Sequence, residues 1–120
     1  MTRRDRPEDA IQRAIFQHLD GRGVRDCAAF HVPNGGWRSR VEAAIMKGLG
    51  VKAGVPDIIA IKNGRAYGFE LKAPGERLTA VQRDAHAALS EAGAIVAVAC
   101  GLDDALIVLE RWGFCGAQQR

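Results

Sequence analysis

The sequence predicts an α/β fold in which a four-stranded mixed sheet carries helices on both of its faces. Apolar residues repeat at helical spacing in three segments, and four shorter apolar runs are typical of strands because turn residues bound them. Two of these strands flank an Asn-Gly pair, which favours a tight hairpin. The expected order is α-β-α-β-β-α-β-α, and a length of 120 residues fits one domain over residues 1–120.

Three of the helices are predicted from their first and last residues. Proline at a first helical position loses no hydrogen bond, so Pro7 is expected to begin the first helix. The patterns Ser39-x-x-Glu42 and Thr79-x-x-Gln82 are capping boxes that are expected to begin the second and the third. Glycines are expected to end these helices, at position 21 or 23, at 48 or 50, and at 93.

The outer strands and the last helix follow from the remaining apolar segments. Cys27–Val32 is expected to form the first strand and Ala94–Ala99 the last. The strand–helix–strand unit that ends at residue 99 predicts a parallel pair joined by a right-handed crossover. A final helix is expected from Asp103 or Asp104 to about Arg111.

The central hairpin, within residues 56–74, brings three charged side chains together. A two-residue loop at 63–64 places Asp57 directly opposite Glu70, because residues equidistant from such a loop pair with each other. Lys72 lies on the same side of the sheet as Glu70, since strand side chains alternate with period two. Asp57, Glu70 and Lys72 are therefore expected at one end of the hairpin. Its apolar residues occupy both faces, so helices are expected to cover both.

This arrangement of charges predicts a metal site. Two opposed carboxylates repel each other, and burial among apolar neighbours increases the cost. Asp57 and Glu70, with the Leu71 carbonyl between them, form an oxygen site of the kind that Mg²⁺ or Mn²⁺ accepts. Lys72 is then placed to hold an attacking water or to stabilise a phosphoryl oxygen. The alternative is that Asp57 only ends a strand and that Glu70 and Lys72 form a solvated edge pair.

Charge is unevenly distributed along the chain. The net charge is +3, yet residues 1–83 carry 15 basic and 9 acidic side chains, whereas residues 84–120 carry 2 and 5. Thirteen of the 17 basic residues are arginines, which suit bidentate phosphate contacts better than lysines do. The pattern permits an anionic partner, and the alternative is that these charges only solvate the surface.

Several classes of protein are excluded by composition. No apolar run reaches the roughly 20 residues that a membrane helix needs, and no apolar segment of a secretion signal follows the charged N-terminus. The three cysteines form no CxxC pair, so neither a zinc site nor a disulfide framework is expected. A reduced, cytoplasmic setting is the default expectation. Neither a membrane partner nor an organic cofactor is expected.

A second candidate region precedes the hairpin. A glycine turn offers backbone N–H groups that can approach phosphates closely, and the basic side chains after it extend a positively charged track. The candidate nucleic-acid contacts are Asn34, Gly35, Gly36, Arg38, Arg40, Lys47 and Lys52. The alternative is an ordinary turn in which glycines supply positive φ angles.

Taken together, these motifs resemble those of a known nuclease superfamily. The residues that carry the resemblance are Gly54-Val55-Pro56-Asp57, Phe69-Glu70-Leu71-Lys72 and a helix opening Thr79-Ala80-Val81-Gln82. They are similar to the PD-(D/E)XK superfamily, and within it to the VRR-NUC (virus-type replication-repair nuclease) domain of small stand-alone phage and bacterial proteins. The likeness extends from Glu8 through the last helix, and the Asn-Gly-Gly turn at 34–36 strengthens it.

The resemblance implies a restriction-endonuclease-like fold and metal-dependent hydrolysis of DNA. It implies that Asp57 and Glu70 bind Mg²⁺ or Mn²⁺, that Lys72 is catalytic, and that Glu8 and Gln82 complete the site. Stand-alone members resemble Holliday-junction resolvases, so the expected partner is branched DNA, with four-way junctions favoured. A homodimer is expected because a junction needs two symmetric cuts. The expected setting is DNA repair in the cytoplasm of a bacterial or phage-infected cell.

Two of these site residues also have structural explanations. An acid such as Glu8 in a first helical turn is favourable for the helix dipole alone. Gln82 completes a capping box, and a side chain bonded to the Thr79 N–H is not expected to face a metal as well. The functional alternatives are a nuclease for flaps or linear duplexes and a non-catalytic nucleic-acid-binding module.

The remaining histidines, cysteines and tryptophans are assigned structural roles. His31 is expected to pack at a strand end, and the other two histidines to lie on the surface or between helices: His18 and His86. The cysteines at 27 and 100 are expected in the core, and the tail from 115 to 120 to be frayed. Trp37 and Trp112 are expected to stack on bases or to fill a dimer seam, with Trp112 the better dimer candidate.

Overall fold

A computed structural model describes residues 7–33 and 39–116. Its elements have the predicted order: α1 (Pro7–Arg22), β1 (Cys27–His31), α2 (Arg40–Gly48), β2 (Ile58–Lys62), β3 (Arg65–Lys72), α3 (Ala80–Glu91), β4 (Ile95–Cys100) and α4 (Leu102–Arg111). The four strands form one sheet in the order β1-β2-β3-β4. The β1–β2 and β2–β3 pairs are antiparallel and the β3–β4 pair is parallel. The predicted α/β fold with a mixed four-stranded sheet is confirmed.

The β2–β3 hairpin has the predicted register. Ile58 pairs with Phe69 at the open end of the ladder, which leaves Asp57 opposite Glu70 just before β2 begins. The two loop residues at 63–64 have φ angles of 52° and 76°. Positive φ at both positions is what a two-residue loop matched to the strand twist requires. The loop therefore determines which charged residues meet at the far end of the hairpin.

One face of the sheet packs against α1 and α4. The residues that form this core are Ile15, Ile58, Ala60, Phe69, Leu71, Ala99, Ala105, Leu109, Phe114 and Cys115. Burying a large apolar side chain contributes about 1.5–3 kcal/mol, so the packing strongly selects the strand face that turns inward. Because strand side chains alternate, Glu70 and Lys72 must then face the other side of the sheet.

Helix α3 lies on that second face. The Thr79 hydroxyl accepts a hydrogen bond from the Gln82 N–H, and the reciprocal bond completes the predicted capping box. Coverage of this face is incomplete, because Phe30 on β1 and Ile61 on β2 are 50% and 46% exposed. In addition, α2 contains no buried residue. Helices lie on both faces as predicted, but the expectation that they cover both is wrong over β1 and β2.

The C-terminal part of the chain differs from prediction in two details. Helix α4 begins at Leu102, before the expected acidic pair, and the Asp104 carboxylate accepts a hydrogen bond from the Cys100 N–H at 3.0 Å. Cys115 was expected in a frayed tail but is buried and forms a β-bridge with Gly23. The chain past α4 therefore belongs to the core at least as far as Cys115.

Three other side chains were assigned from the sequence and can now be located. Trp112 packs on aromatic rings of its own chain, with ring centroids 5.1 Å from Tyr67 and 5.7 Å from Phe69, and is half-buried; its assignment to a dimer seam or to base stacking stays a prediction. Cys100 is exposed, not in the core, whereas Cys27 packs against the core as expected. Trp37 lies outside the described residues. No helix within the described ranges is long and apolar enough to cross a bilayer.

Candidate active site

Asp57 is held at the open end of the hairpin by its backbone and by its side chain. Its carbonyl accepts hydrogen bonds from the Val32 N–H at 2.8 Å and from His31 Nδ1 at 2.8 Å. A carbonyl can only accept, so Nδ1 is the protonated ring nitrogen. The Asp57 Oδ2 atom accepts from the Leu71 N–H at 2.9 Å. His31, expected only to pack, therefore anchors the residue whose carboxylate bridges to β3.

Glu70 and Lys72 are buried, although both are ionisable. Their exposed fractions are 3% and 7%, so the alternative of a solvated edge pair is wrong. The Lys72 Nζ atom donates a hydrogen bond to Gln82 Oε1 at 3.0 Å. A buried ammonium group needs such partners, because it has lost most of its water. The structure thus brings the predicted Asp57, Glu70 and Lys72 together in one enclosed region.

The carboxyl group of Glu70 has a strongly perturbed acidity. The pKa of Glu70 is raised from 4.5 to about 9. The largest cause is burial; the hydrogen bond with Asp57 and the repulsion from the Asp57 charge follow. Lys72 opposes this rise in pKa, and Glu8 adds a smaller repulsion. Without a cation, Glu70 is therefore protonated at neutral pH.

Gln82 performs two tasks with a single oxygen. Its Oε1 atom accepts from the Thr79 N–H at 2.9 Å and from Lys72 Nζ at 3.0 Å. An amide oxygen has two lone pairs and can accept both bonds. The capping bond therefore does not turn the Gln82 side chain away from Lys72. The cap of α3 and the position of the Lys72 amine depend on the same atom.

His86 is a site residue that sequence reasoning missed. It was expected on the surface or between helices, but it is 7% exposed, and its Nε2 atom lies 3.3 Å from Glu70 Oε1. Burial lowers the pKa of His86, Asp57 acts in the opposite direction, and Lys72 adds to the lowering. The signal was present in the sequence, because residues four apart on a helix share a face and His86 follows Gln82 at that spacing.

The donor set fits a small divalent cation. Within residues 7–33 and 39–116, no three aspartate, glutamate, histidine or cysteine side chains are arranged to hold a metal ion. The candidate ligands are therefore the Asp57 and Glu70 carboxyls and the Leu71 carbonyl. The Leu71 N–H donates to Asp57, and the carbonyl of a strand residue points to the same side as its N–H, so this carbonyl also points towards Asp57. Mg²⁺ is commonly held by one or two carboxylates and several waters. A buried acid that is unusually hard to ionise, in contact with a half-buried one, is consistent with such a site.

The predicted nucleic-acid contacts can be located only in part. Arg40 and Lys47 are exposed on α2, and Lys52 is exposed in the loop that leads to Asp57. The other candidates lie outside the described residues: Asn34, Gly35, Gly36 and Arg38. The three located side chains therefore lie on α2 and on the loop that connects α2 to Asp57.

Comparison with solved structures supports the fold. No protein-family profile and no curated protein matches the chain. Among solved structures, the chain is similar to a "VRR_NUC domain protein", with a TM-score of 0.73 and 26% sequence identity. The similarity covers 91% of this chain and 89% of that one. The resemblance inferred from the sequence motifs is thereby confirmed at the level of the whole fold.

Proposed function

We propose that the chain, which has a VRR-NUC domain, is a metal-dependent endodeoxyribonuclease that acts on branched DNA and favours four-way junctions. The structural similarity supports a nuclease domain. The observation that carries the proposal is the contact of the buried Glu70 carboxyl with the half-buried Asp57 carboxyl, beside the buried Lys72 amine. Burying a carboxyl group against a second acid is costly unless a cation compensates their charge. In a cation-dependent phosphodiesterase, the bound cation would compensate this cost.

The roles of the site residues follow from their positions. Asp57 and Glu70 would hold Mg²⁺ or Mn²⁺ with the Leu71 carbonyl, and Glu8 would assist them. When bound, such a cation polarises the scissile phosphate and lowers the pKa of a coordinated water. Lys72 would orient the attacking water or donate to a phosphate oxygen, offsetting charge as the bond breaks. Gln82, through its 3.0 Å bond to Nζ, would hold the Lys72 amine in place for this task.

The DNA would be bound through its backbone. Arg40, Lys47 and Lys52 are exposed between the end of β1 and the site, and basic side chains of this kind contact phosphates without reading base identity. We extend this role to the candidates outside the described residues: Asn34, Gly35, Gly36 and Arg38. Selection would then depend on the shape of the DNA and not on its sequence.

A homodimer would supply the second cut that a four-way junction requires. An exposed apolar stripe along α2 and its C-cap residue supports it: Val41, Ile45 and Leu49 are 70%, 58% and 80% exposed. Residues at this spacing share one helix face, and exposed apolar patches often mark protein interfaces. We propose that this stripe contributes to the contact between the two copies.

The proposed setting is DNA repair in the cytoplasm of a bacterial or phage-infected cell. Three cysteines without a CxxC pair are consistent with a reducing compartment. The proposed nuclease domain spans residues 1–120 as a single unit.

Cleavage of defined DNA substrates tests the function. Labelled four-way, flap and linear DNA would be incubated with the protein and Mg²⁺ or Mn²⁺. We expect symmetric cuts in the four-way junction, and loss of cutting with retained DNA binding in Asp57→Asn and Lys72→Met. Glu91→Gln, at an exposed position at the end of α3, is the control and should cut normally.

The outcomes separate the competing functions. Binding to all three DNAs without cutting any of them would contradict a nuclease and indicate a non-catalytic binding module. Preferential cutting of flap or linear DNA would contradict the junction preference alone. Normal cutting by Asp57→Asn or Lys72→Met would contradict the site assignment.

A further inference from the structure

Helix α3 presents two polar side chains, one helical turn apart, to the two charged side chains of β3. Gln82 Oε1 accepts from Lys72 Nζ at 3.0 Å, and His86 Nε2 lies 3.3 Å from Glu70 Oε1. Residues four apart on a helix share a face, as do residues two apart on a strand. One face of α3 therefore contacts both charged members of the Glu-x-Lys motif.

The contact between His86 and Glu70 is enclosed. The two residues are 7% and 3% exposed, so each has lost most of its water and depends on hydrogen bonds within the protein. The Glu70 carboxyl meets His86 through Oε1 and also contacts the Asp57 carboxyl. These two neighbours restrict the rotation of the Glu70 carboxyl group.

We propose that His86 is a positioning residue, whose ring N–H donates to Glu70 and holds the carboxyl group in the orientation needed to bind a divalent cation together with Asp57. The inference rests on the proposed nuclease function and adds a residue to it. Hydrogen bonds from outer residues to metal ligands typically change metal affinity by about 10–100-fold. A His86 that only filled space would be replaceable by any side chain of similar size, whereas positioning requires an N–H donor at this place.

Mn²⁺ alone, titrated calorimetrically into the full chain without DNA, is the probe. His86→Leu fills a similar volume but removes the donor, whereas His86→Gln keeps an N–H near the position of Nε2. We expect His86→Leu to weaken Mn²⁺ binding by about tenfold or more, and His86→Gln to recover most of the loss. On junction DNA, kcat should fall in His86→Leu with little change in KM.

Two further variants make the test specific. His18→Leu is the matched control, because His18 bonds Arg22 at 3.0 Å through Nδ1 and lies about 15 Å along α1 from Glu8; it should bind Mn²⁺ like the wild type. His86→Asn is too short to reach Glu70 and should bind as weakly as His86→Leu, which keeps the test decisive if His86→Leu does not fold. Thermal unfolding without metal would establish that each variant is folded.

Two results would overturn the role of His86. One is Mn²⁺ binding by folded His86→Leu or His86→Asn as tight as that of the wild type. The other is binding by His86→Gln as weak as by His86→Leu, because a donor would then not be what matters. A wild-type chain that bound no Mn²⁺ and cut no DNA would contradict the proposed function itself, and this role with it.

Discussion

Gly54 and Val81 lie so close together that no side chain fits between them. A β-carbon built on Gly54 would stand 2.5 Å from the Val81 carbonyl oxygen and 2.9 Å from the Gln82 nitrogen. Gly54 also has a φ angle of +79°, which side-chain-bearing residues rarely adopt. The turn that leads into Asp57 is therefore packed directly on the first turn of α3, where Gln82 contacts Lys72.

Gly54→Ala should lower the free energy of unfolding by more than about 1 kcal/mol, because the new methyl group meets backbone as well as adopting positive φ. Gly50→Ala is the matched control: Gly50 has a φ of +97°, but nothing lies within 4 Å of its added β-carbon. It should cost about 1 kcal/mol from backbone strain alone. Urea unfolding followed by tryptophan fluorescence measures both. Equal losses would show that the contact with α3 does not contribute.

The stability of the metal-free protein should fall as the pH rises from about 6.5 to about 8.5. Burial and Asp57 raise the pKa of Glu70 from 4.5 to about 9, so in this range the folded chain retains a proton that the unfolded chain has lost. The slope should be at most about 1.4 kcal/mol per pH unit. The lowered pKa of His86 removes stability only below its ordinary value of 6.5, and Cys115 matters only above 9.0.

Two controls apply to this pH dependence, which chemical denaturation at a series of pH values would measure. Glu70→Gln should flatten the slope, because the amide does not titrate. Saturating Mn²⁺ should flatten it as well, because the cation replaces the proton on the carboxyl group. An unchanged slope in Glu70→Gln would mean that another group causes it.

Gln82→Ala and Thr79→Ala should separate capping from catalysis. Each removes a capping hydrogen bond, so each should cost about 1 kcal/mol of stability in thermal unfolding. Only Gln82→Ala also removes the acceptor of Lys72 Nζ. It should therefore lower kcat by about tenfold, the effect of losing roughly 1.4 kcal/mol at the transition state. A similar fall in kcat for Thr79→Ala would indicate that helix stability is the cause.

Ile45→Glu should convert the proposed dimer into a monomer. Ile45 is 58% exposed in the α2 stripe, and a charge placed in an apolar interface would be desolvated at a cost. Ala43→Glu is the control, because two residues along a helix correspond to a rotation of about 200° and place the new charge on the opposite side. Sedimentation velocity measures the mass. A wild-type monomer, or an Ile45→Glu dimer, would exclude the stripe as the interface.

Lys47→Ala and Lys52→Ala should weaken DNA binding to a similar degree on different sequences. Each removes a charge near the entry to the site, so each should reduce the slope of log affinity against log salt by about one. Arg111→Ala, an exposed position in the acidic C-terminal part of the chain, should leave the slope unchanged. Fluorescence anisotropy with labelled duplexes at several salt concentrations measures it, and equal slopes for all variants would contradict the assignment.

The hairpin could be predicted from the sequence because its geometry is local. The loop at 63–64 allows one register, and that register placed Asp57 opposite Glu70 without knowledge of the rest of the fold. The element order followed similarly from caps and from apolar periodicity. Burial of Glu70 and Lys72 depends on α3, a contact that no local pattern specifies.

The errors share a different cause, which is tertiary packing. The stripe of α2 has the periodicity of a core helix, yet none of its residues is buried within this chain. A periodic pattern indicates that an apolar face exists but not what covers it. His86 illustrates the converse, since its spacing from Gln82 places both residues on one helix face but does not show that this face covers the buried Glu70.

The hairpin also limits how the length of this chain can vary. Asp57 and Glu70 are separated by twelve residues that include the whole tight loop. One inserted residue there would exchange the faces of β3 and turn both Glu70 and Lys72 towards the apolar core. Two inserted residues would keep each side chain on its face of the sheet. They would, however, move Glu70 by one two-residue repeat along the strand, away from its position opposite Asp57. Insertions and deletions in homologous proteins should therefore fall before residue 54 or after residue 72, and the hairpin should keep its length while its side chains change.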